Sequence, residues 1–448
     1  MSEVIKIRRG LDINLIGQAE KKVNEATSGN FAIKPPDFVG VFPKMFVKEG
    51  DPVKAGTPVF YDKYRDNIIF TSPVSGTVKE VYRGAKRKML EVRIESDGKM
   101  EYEDFGKEDP KGLSREKVIE KMLKSGVWPL LRQRPYSIIA DPGLEPKAIF
   151  ISAFDSAPLG PDMAYQIDGM DKEFQAGIDA LSKLTKGKVH LGLRAGESAP
   201  IFTAAKGVQL NYFSGPHPAG NVGIQIHHVD PINKGEVVWY LDPVSVVTVG
   251  KLFLEGKFDA SRRIALTGGE VTNPQYYNVI VGCNIFPLVK DNRKSTNIRY
   301  ISGNVLSGTQ IDKEGYLGFY DTQITLIPEG NYHEFLGWAM PRFNKFSYSK
   351  TFFSWLSPKK KYNLDTNLNG GHRAFVLTGE YEKVFPMDIY PMQLLKAIMV
   401  KDIDLMENLG IYEVDEEDFA LCEFIDASKT EMQAIVREGL DFLRKEMS

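Results

Sequence analysis

Cysteine is almost absent from this chain, and its scarcity excludes several kinds of redox centre. Cys283 and Cys422 are the only two cysteines among 448 residues, and they form no closely spaced pair. A cysteine-ligated [4Fe–4S] or plant-type [2Fe–2S] cluster needs four thiolates, so this chain alone holds neither. His227 and His228 are the one close histidine pair. They lie in a predicted strand, where neighbours point to opposite faces, so no metal site is predicted.

Glycine-rich nucleotide motifs are also missing. The chain has no GxGxxG turn after a predicted strand and no GxxxxGK[ST] phosphate loop. Such turns let backbone amides approach a phosphate group closely. After the apolar run AIFISAF (148–154), Gly160 stands alone between prolines. A nucleotide-binding layer in this region is therefore expected to lack its nucleotide.

Long apolar runs and an excess of charge are absent as well. No run approaches the roughly 18 apolar residues of a membrane-spanning helix. The first residues, MSEVIKIRRG, show no signal-peptide pattern. The formal net charge is −2, which argues against a nucleic-acid partner. We expect a cytosolic chain, or one held at a membrane through a partner.

The pattern of residues 31–98 predicts a biotinyl/lipoyl-like β-hammerhead module. Gly50 and Gly56 mark tight turns between strand positions rich in β-branched residues. In lipoyl domains a modified lysine occupies the apex of the hairpin, whereas Arg65 takes that place here. Arginine cannot form the amide that holds lipoate or biotin. The module is therefore predicted to be a structural relative of carrier domains.

Alternating strands and helices predict a Rossmann-like α/β domain over residues 99–257. Ser114 is expected to begin the first helix and Gly126 to end it, and a second helix from Phe174 is expected to stop at Gly187. Asp242 is expected to cap a third helix that ends at Gly256. The predicted strands are 148–154, 188–193, 223–229 and 236–241.

The remaining segments complete an α+β multidomain prediction. Residues 1–30 are read as an N-terminal arm and 258–332 as a small β-grasp (SLBB/ubiquitin-like) domain. Residues 333–387 form an aromatic and basic connecting arm, and 388–448 a helical C-terminal domain. A capping box of Ser428 and Glu431 is expected to begin the last helix.

The loop SGPHPAGNVG (214–223) is the best candidate for an anion site. Gly215 and Gly220 can shape a nest of backbone amides, and His217 and Asn221 can orient a bound anion. The alternative is a rigid loop that joins two elements and binds nothing.

The connecting arm contains an unusual stretch, WAMPRFNKFSYSKTFFSWLSPKKKY (338–362). Aromatic residues interleaved with cations bind RNA, membrane surfaces or other proteins. Because the chain is near neutral and has no RNA-binding motif, docking to a membrane partner is favoured over nucleic acid. The alternative is an arm packed across its own domains, with solvated lysines.

A second apolar stretch is predicted to line a groove for a flat ligand with carbonyl acceptors, such as a quinone. In this stretch, VWPLLRQRPY (127–136), Trp128, Leu130 and Leu131 stand beside Arg132 and Arg134. The segment FAIKPPDFVG (31–40), with Phe31 and Phe38, is expected to form the other wall. Packing between domains is the alternative.

Six segments together resemble the A subunit of the sodium-translocating NADH:quinone oxidoreductases. More distantly, the architecture is similar to the C subunit of the Rnf complex and to the flavin-binding subunit of complex I. The six segments are GLDINL, RPYSIIADPGLEPKAIFISAFDSAPLGPD, FSGPHPAGNVGIQIHHVDPINKGEVVWYLDP, ISGNVLSGT, NGGHRAFVLTGEYEKVFPMDI and EEDFALCEF.

The resemblance implies a peripheral subunit, without a membrane span, on the cytoplasmic side of the inner (cell) membrane. Its complex has six subunits and couples electron transfer from NADH to quinone with sodium export. Its expected partners are the other subunits, especially the membrane subunits, and NADH, FAD, FMN and iron–sulfur centres are expected in those partners. This chain itself is expected to carry no cofactor and to contact quinone at Phe31, Phe38, Trp128, Leu130, Leu131 and Arg132.

Two other functions remain open. The first is a Rnf-like subunit that binds flavin and NADH itself, and the missing glycine motif and cysteine ligands weigh against it. The second is a scaffold that binds no ligand, which the emptied Rossmann-like layer favours.

Overall fold

The computed structural model describes residues 4–376 and 379–447. Residues 1–3 of the predicted N-terminal arm, 377–378 of the predicted connecting arm and 448 of the predicted C-terminal domain lie outside the described residues. The fold is the predicted mixture of α and β structure, with four sheets and a helical C-terminal part.

The N-terminal segment supplies edge strands to two different sheets. Strand β1 (Val4–Lys6) is parallel to its neighbour at one edge of a seven-stranded sheet. Strand β2 (Glu20–Glu25) lies at one edge of a six-stranded sheet. The segment therefore joins two domains through strands that lie about 200 residues or more after it in the sequence.

Seven strands build the N-terminal module from a four-stranded sheet and a three-stranded sheet. The β-branched and aromatic residues predicted for strands, among them Val59 and Val78, are buried between the sheets. Gly50 and Gly56 have φ values of +90° and +99°, which confirms the predicted tight turns. The strands are β3 (Asn30–Ile33), β4 (Pro43–Met45), β5 (Pro52–Val53), β6 (Pro58–Asp62), β7 (Arg65–Thr71), β8 (Gly76–Arg83) and β9 (Met89–Ser96).

The position assigned to the carrier lysine is turned inward. The hairpin turns at Lys63 and Tyr64, so Arg65 is the first residue of β7 and not the apex. Nε of Arg65 lies 3.1 Å from Oδ2 of the buried Asp62, and its Nη1 donates to the carbonyl of Ile139 at 3.0 Å. Arg65 thus helps to fix the module against the next domain.

The α/β domain contains the seven-stranded sheet in the order β1-β14-β13-β12-β15-β10-β11. Strands β1, β14, β13, β12 and β15 run parallel to one another, whereas β10 is antiparallel to β15 and β11 is antiparallel to β10. Its elements are α1 (Arg115–Ser125), β10 (Arg132–Arg134), β11 (Ile138–Ile139), β12 (Ala148–Ser152), α2 (Met163–Gln166), α3 (Asp171–Leu181), β13 (Val189–Arg194), α4 (Pro200–Thr203), β14 (Gln209–Ser214), α5 (Val222–Val229), β15 (Val238–Leu241) and α6 (Pro243–Glu255).

The predicted helix ends in this domain are mostly confirmed. The side chain of Ser114 accepts from the amide of Lys117 at the start of α1, and Gly126 closes that helix in the left-handed conformation. Asp242 and Gly256 play the same two roles for α6. The predicted end of α3 at Gly187 is wrong, because the helix ends at Leu181.

The prediction of a strand over residues 223–229 is wrong, since α5 occupies this segment. Val222 and Ile226 lie one helical turn apart and pack on Phe150 and Val238 of the sheet, whereas Ile224 faces a second core beside the C-terminal helices. Apolar surface on two sides of the segment outweighs the strand preference of its β-branched residues.

The β-grasp domain is built on the six-stranded sheet, in the order β19-β18-β20-β16-β17-β2. Its elements are β16 (Ser261–Thr267), β17 (Gln275–Ile280), α7 (Phe286–Val289), β18 (Ile298–Ser302), β19 (Thr309–Ile311) and β20 (Gln323–Pro328). Apolar residues of this sheet join the core that also runs through the N-terminal module and the α/β domain. The three domains therefore share one continuous interior.

Helices α8 (Pro391–Met399), α9 (Ile403–Asn408), α10 (Ala420–Ile425) and α11 (Met432–Met447) form the C-terminal domain. One face of α11 is buried at Met432, Val436, Leu440 and Leu443, while Ile435 beside it is half-buried. The predicted capping box is wrong. The carboxylate of Asp426 accepts from the amides of Ser428 and Thr430 before the helix, while Ser428 Oγ donates to the carbonyl of Ala374.

The connecting arm crosses the surface between the β-grasp and C-terminal domains. Its inner side is anchored by Tyr362, which pairs with Leu15 of the N-terminal segment, and by Phe346, whose ring lies 5.8 Å from those of Tyr362 and Phe424. Many of its other large side chains stay exposed. Within the described residues, no helix is long and apolar enough to cross a membrane.

Candidate functional site

The two segments predicted to wall a groove are brought together by a loop of the β-grasp domain. This clasp loop (residues 316–321) follows β19 and precedes β20. The ring of Phe38 lies 4.8 Å from that of Phe319 and 5.9 Å from that of Tyr320. Tyr320 Oη donates to the carbonyl of Pro129 at 2.7 Å. The clasp loop thus touches both predicted walls.

Arg132 is the charged member of this arrangement. Its register in β10 sets it directly opposite Tyr240 of β15. The guanidinium lies 4.6 Å from the ring centres of both Tyr240 and Tyr320, so it is held between two aromatic faces. Burial raises the pKa of the Tyr320 phenol well above its usual range, and the phenol stays a neutral donor. A cation fixed by two rings can present guanidinium hydrogens to a carbonyl oxygen.

The remaining predicted site residues are core residues. Trp128 is fully buried, meets Trp239 edge-on at 5.4 Å and donates from Nε1 to the carbonyl of Ala140 at 2.8 Å. Leu130, Leu131 and Phe31 are also buried in the shared interior. These four side chains pack in the core and do not line an open groove in this conformation.

A small cavity does lie between the N-terminal module and the clasp loop. Its volume is about 10 Å³, which is room for about one water molecule. A quinone ring does not fit there unless the clasp loop moves. The cavity is lined by Ala32, Ile33, Lys34, Asp37, Phe70, Thr71, Pro73, Gly126, Phe258, Val281 and Phe319.

Asp37 is a titratable group at this cavity that the sequence interpretation did not single out. Its Oδ2 accepts from the amide of Phe319 at 2.8 Å, and its Oδ1 lies 3.4 Å from Nζ of Lys34. Burial raises the pKa of Asp37 to about 6, although the charge of Lys34 and the Phe319 amide oppose the shift. The segment PPD in the predicted wall was the only sequence signal for this carboxyl group.

The predicted anion nest is occupied by contacts within the chain. The amide of His217 donates to Asp12, that of Gly220 to Ser156 Oγ, and that of Asn221 to the carbonyl of Pro218. Nδ1 of His217 lies 3.0 Å from Ser156 Oγ, and burial lowers the pKa of His217 to about 4. The site at Gly215, His217, Gly220 and Asn221 stays a prediction. Its paired amides favour the structural alternative.

The crevice where a Rossmann-like fold binds its ligand is filled from within. In open α/β sheets this crevice lies at the carboxyl ends of the strands where the strand order reverses, here between β12 and β15. Nε2 of Gln225 donates to Ser152 Oγ at 2.8 Å, and that hydroxyl donates to the carbonyl of Gly220 at 2.7 Å. Both side chains are buried beneath the loop.

A buried charge cluster joins the α/β domain to the C-terminal domain. Arg134, which was expected beside the groove, lies at its centre, and its acidic partners were not predicted. Arg134 is fully buried and donates to Asp418 at 2.7 Å and to Glu417 at 2.9 Å. Ser137 Oγ donates to Asp415 at 2.6 Å. Burial raises the pKa values of Glu417 and Asp418, while the charge of Arg134 opposes both shifts. The acidic run EVDEED (413–418) was the available signal.

The two adjacent histidines lie in a helix and contact different partners. Nδ1 of His227 lies 2.7 Å from Glu413 Oε2, and Nδ1 of His228 lies 2.8 Å from the carbonyl of Ile224. In the part of the chain that the structure describes, no group of three or more His, Cys, Asp or Glu residues is arranged to hold a metal ion.

Comparison with known proteins identifies the family. The model described as the NqrA N-terminal barrel-sandwich hybrid domain matches residues 5–97, and the NqrA second alpha/beta domain matches residues 113–258. The NQRA C-terminal domain matches residues 263–313. The A subunit of the Na(+)-translocating NADH-quinone reductase from Pasteurella multocida is 39% identical over 99% of this chain and 100% of its own length. This chain belongs to that A-subunit family.

Other members of the A-subunit family are similarly close. The one from Hahella chejuensis is 38% identical over 99% of this chain and 100% of its own length. That from Rhodopirellula baltica is 38% identical over 99% of this chain and 98% of its own length. Among solved structures, a chain of the NAD+-reducing [NiFe]-hydrogenase in the H2-reduced state has a TM-score of 0.39 at 13% identity, covering 75% of this chain and 64% of that one.

Proposed function

We propose that this chain is the peripheral A subunit of a sodium-translocating NADH–quinone reductase, a translocase that couples electron transfer from NADH to quinone with sodium export. Full-length identity to the A-subunit family carries this proposal. The chain lies on the cytoplasmic side of the cell membrane beside the membrane subunits, and its connecting arm holds it at the membrane. NADH, FAD, FMN and iron–sulfur centres belong to partner subunits.

The contribution of this chain to quinone interaction is centred on Arg132, Phe38 and the clasp loop. Arg132 lies 4.6 Å from Tyr320, and Phe38 lies 4.8 Å from Phe319, so one loop contacts both predicted walls. In the closed conformation the cavity holds about one water molecule. Quinone contact therefore requires the clasp loop to move outward, which exposes Phe38 and the guanidinium of Arg132.

Kinetics of the assembled complex test this site. Arg132→Gln removes the cation and is expected to raise the KM for quinone about tenfold, which corresponds to one charge-assisted hydrogen bond. NADH oxidation with an artificial acceptor is expected to stay unchanged. Arg263→Gln is the matched control, since Arg263 also lies over a tyrosine ring, 5.0 Å from Tyr165, and its guanidinium donates to Asn278 and the Tyr165 carbonyl, which belong to neither wall. An unchanged quinone KM for Arg132→Gln excludes this residue and supports the scaffold function.

The Rnf-like alternative has its own test. The purified chain is expected to carry no flavin colour, because Gln225 and Ser152 fill the crevice at the switch point of the sheet. It is also expected to be free of iron, because two cysteines are too few for a cysteine-ligated cluster. If the purified chain shows a flavin absorption band and contains no metal, then the crevice opens and binds a cofactor. The enzyme-like function would then replace the one proposed.

A further inference from the structure

The outer side of the connecting arm is a continuous exposed surface. Two short helical turns, at Gly337–Ala339 and Phe353–Leu356, are held side by side because the amide of Phe353 donates to the carbonyl of Pro341 at 2.8 Å. The rings of Phe343 and Phe353 meet edge-on at 5.9 Å. We call this surface the arm face and define it by six exposed side chains: Phe335, Met340, Phe343, Phe353, Trp355 and Leu356.

The exposure of these side chains is large for residues of their kind. Phe335 is 89% exposed and Phe343 58% exposed. The opposite side of the same arm is well packed, since Ser354 and Tyr362 are buried and Phe346 contacts Phe424. The arm is therefore anchored on one side, and it presents its apolar side chains outward on the other. Exposed apolar patches of this kind mark interaction surfaces.

The stretch of the arm between Glu334 and Tyr362 carries charge of a single sign. Residues 335–361 contain six lysines and arginines and no aspartate or glutamate, in a chain whose net charge is −2. Arg342 and Lys345 both pair with Glu334, at 2.6 and 2.7 Å, so this carboxylate offsets one of their two charges. Lys350, Lys359 and Lys361 are exposed and make no ion pair with any described residue. Three free cations thus surround the arm face.

We propose that the arm face contacts the lipid bilayer itself, at a surface rich in anionic headgroups. This inference rests on the proposed function, because it names the partner of the arm that holds the chain at the membrane. Aromatic rings settle at the level of the headgroups, and lysines beside them reach the phosphates.

Other partners fit the arm face less well. A protein surface usually offers charges of both signs, whereas the arm face carries no carboxylate. A nucleic acid offers uniform negative charge, but it gives no apolar volume to Met340 and Leu356. A bilayer interface offers both anionic phosphates and acyl chains, and it suits a projecting surface better than a groove.

Co-flotation of the full chain with vesicles tests the proposal. The chain is expected to float with phosphatidylcholine vesicles that contain phosphatidylglycerol, less with phosphatidylcholine alone, and less at high salt. The triple variant Lys350→Gln, Lys359→Gln and Lys361→Gln is expected to bind on the order of a hundredfold more weakly. The control removes the same charge from exposed lysines elsewhere, at Lys99, Lys124 and Lys206, and is expected to retain binding.

A second pair of variants tests the apolar side chains. At high salt the wild-type chain is expected to retain some vesicle binding through its apolar side chains. The double variant Phe343→Ser with Phe353→Ser is expected to lose this remaining binding. The matched control is Phe42→Ser with Phe46→Ser, because these rings are exposed to a similar extent, at 56% and 53%, on the N-terminal module. Equal losses in the two pairs overturn the assignment to the arm face.

Two further outcomes separate this proposal from the proposed function. In the first, the chain assembles with the other subunits through an intact arm but does not bind phosphatidylglycerol vesicles. The partner of the arm is then a protein, and the lipid proposal is overturned. Competition by RNA for vesicle binding with equal affinity also overturns it. A chain that binds vesicles but never assembles leaves the lipid surface supported and overturns the proposed function.

Discussion

Nη1 of Arg134 donates a hydrogen bond to Oδ2 of Asp418 at 2.7 Å, and both side chains are fully buried. This contact links β10 of the α/β domain to the C-terminal helices, which lie nearly 300 residues later in the sequence. Glu417 and Asp415 complete the acidic side of the joint. Buried charges of this kind are stable only while they remain paired.

Arg134→Leu is expected to lower the free energy of unfolding by about 3–5 kcal/mol, because it leaves buried carboxylates without their cation. Urea denaturation measures the change. Lys186→Leu is the control, since Lys186 is 90% exposed in its pair with Glu145, and exposed pairs contribute at most about 1 kcal/mol. Equal small losses in the two variants would contradict the role of Arg134 as the joint between domains.

Asp37 is expected to make the folded chain less stable as the pH rises, whereas a carboxyl group with a lowered pKa has the opposite effect. Its pKa is about 6 in the folded chain and about 4 in an unfolded one, so the folded chain holds the proton between these values. The contribution of Asp37 to the free energy of unfolding is greatest below about pH 4, where the carboxyl group is protonated in both states. This contribution is lost as the pH rises to about 6. The loss amounts to about 3 kcal/mol.

Asp37→Asn keeps an oxygen for the amide of Phe319 but has no proton to lose. Urea denaturation at several pH values is expected to show wild type losing stability relative to Asp37→Asn between about pH 4 and about pH 6. Parallel pH profiles for the two proteins would mean that Asp37 titrates normally.

The crossing of α3 and α6 depends on two glycines. A Cβ atom at Gly250 would meet the carbonyl of Glu173, and one at Gly177 would meet that of Val246. Gly250→Ala is expected to lower the free energy of unfolding by about 1–3 kcal/mol, even though alanine favours a helix by about 1 kcal/mol. Denaturation of Gly112→Ala is the control, because nothing lies within 4 Å of a Cβ at that position. A neutral Gly250→Ala would show that the helices can separate without loss.

Trp128 and Arg132 are expected to give different kinetic signatures, although they are close in sequence. Trp128→Ala removes a fully buried ring and is expected to lower stability by about 3–5 kcal/mol, so quinone turnover falls together with the amount of assembled complex. Arg132→Gln is expected to change the KM for quinone alone. Thermal unfolding and turnover per assembled complex, measured on both variants, separate the two effects. A selective KM change for Trp128→Ala would place that ring at the ligand.

Local sequence signals were sufficient for much of the fold. Ser114 with Gly126 and Asp242 with Gly256 bounded two helices correctly, because capping is decided by residues only a few positions apart. Residues 223–229 were predicted wrongly for the opposite reason. Their β-branched side chains favour a strand locally, but apolar surfaces on two sides make the segment a helix.

The candidate site was predictable only in part. The sequence suggested that Phe38 and Arg132 flank one site, and the resemblance to the A-subunit family supplied that pairing. Tyr320 and Asp37 were not predicted, because each acts through a contact with a residue distant in sequence. No local pattern marks such a contact before the chain folds.

The sequence alone indicated the family and showed which motifs are missing: two cysteines are fewer than the four that a cysteine-ligated cluster needs, and neither GxGxxG nor GxxxxGK[ST] occurs. Tertiary structure alone decided which side chains occupy the crevice of the sheet, the hairpin of the N-terminal module and the contact between domains. Gln225 occupies the crevice of the α/β sheet, Arg65 turns inward from the hairpin, and Arg134 pairs with Asp418 between domains. The physical reason is that burial and pairing depend on neighbours in space, which residues far apart in the chain provide.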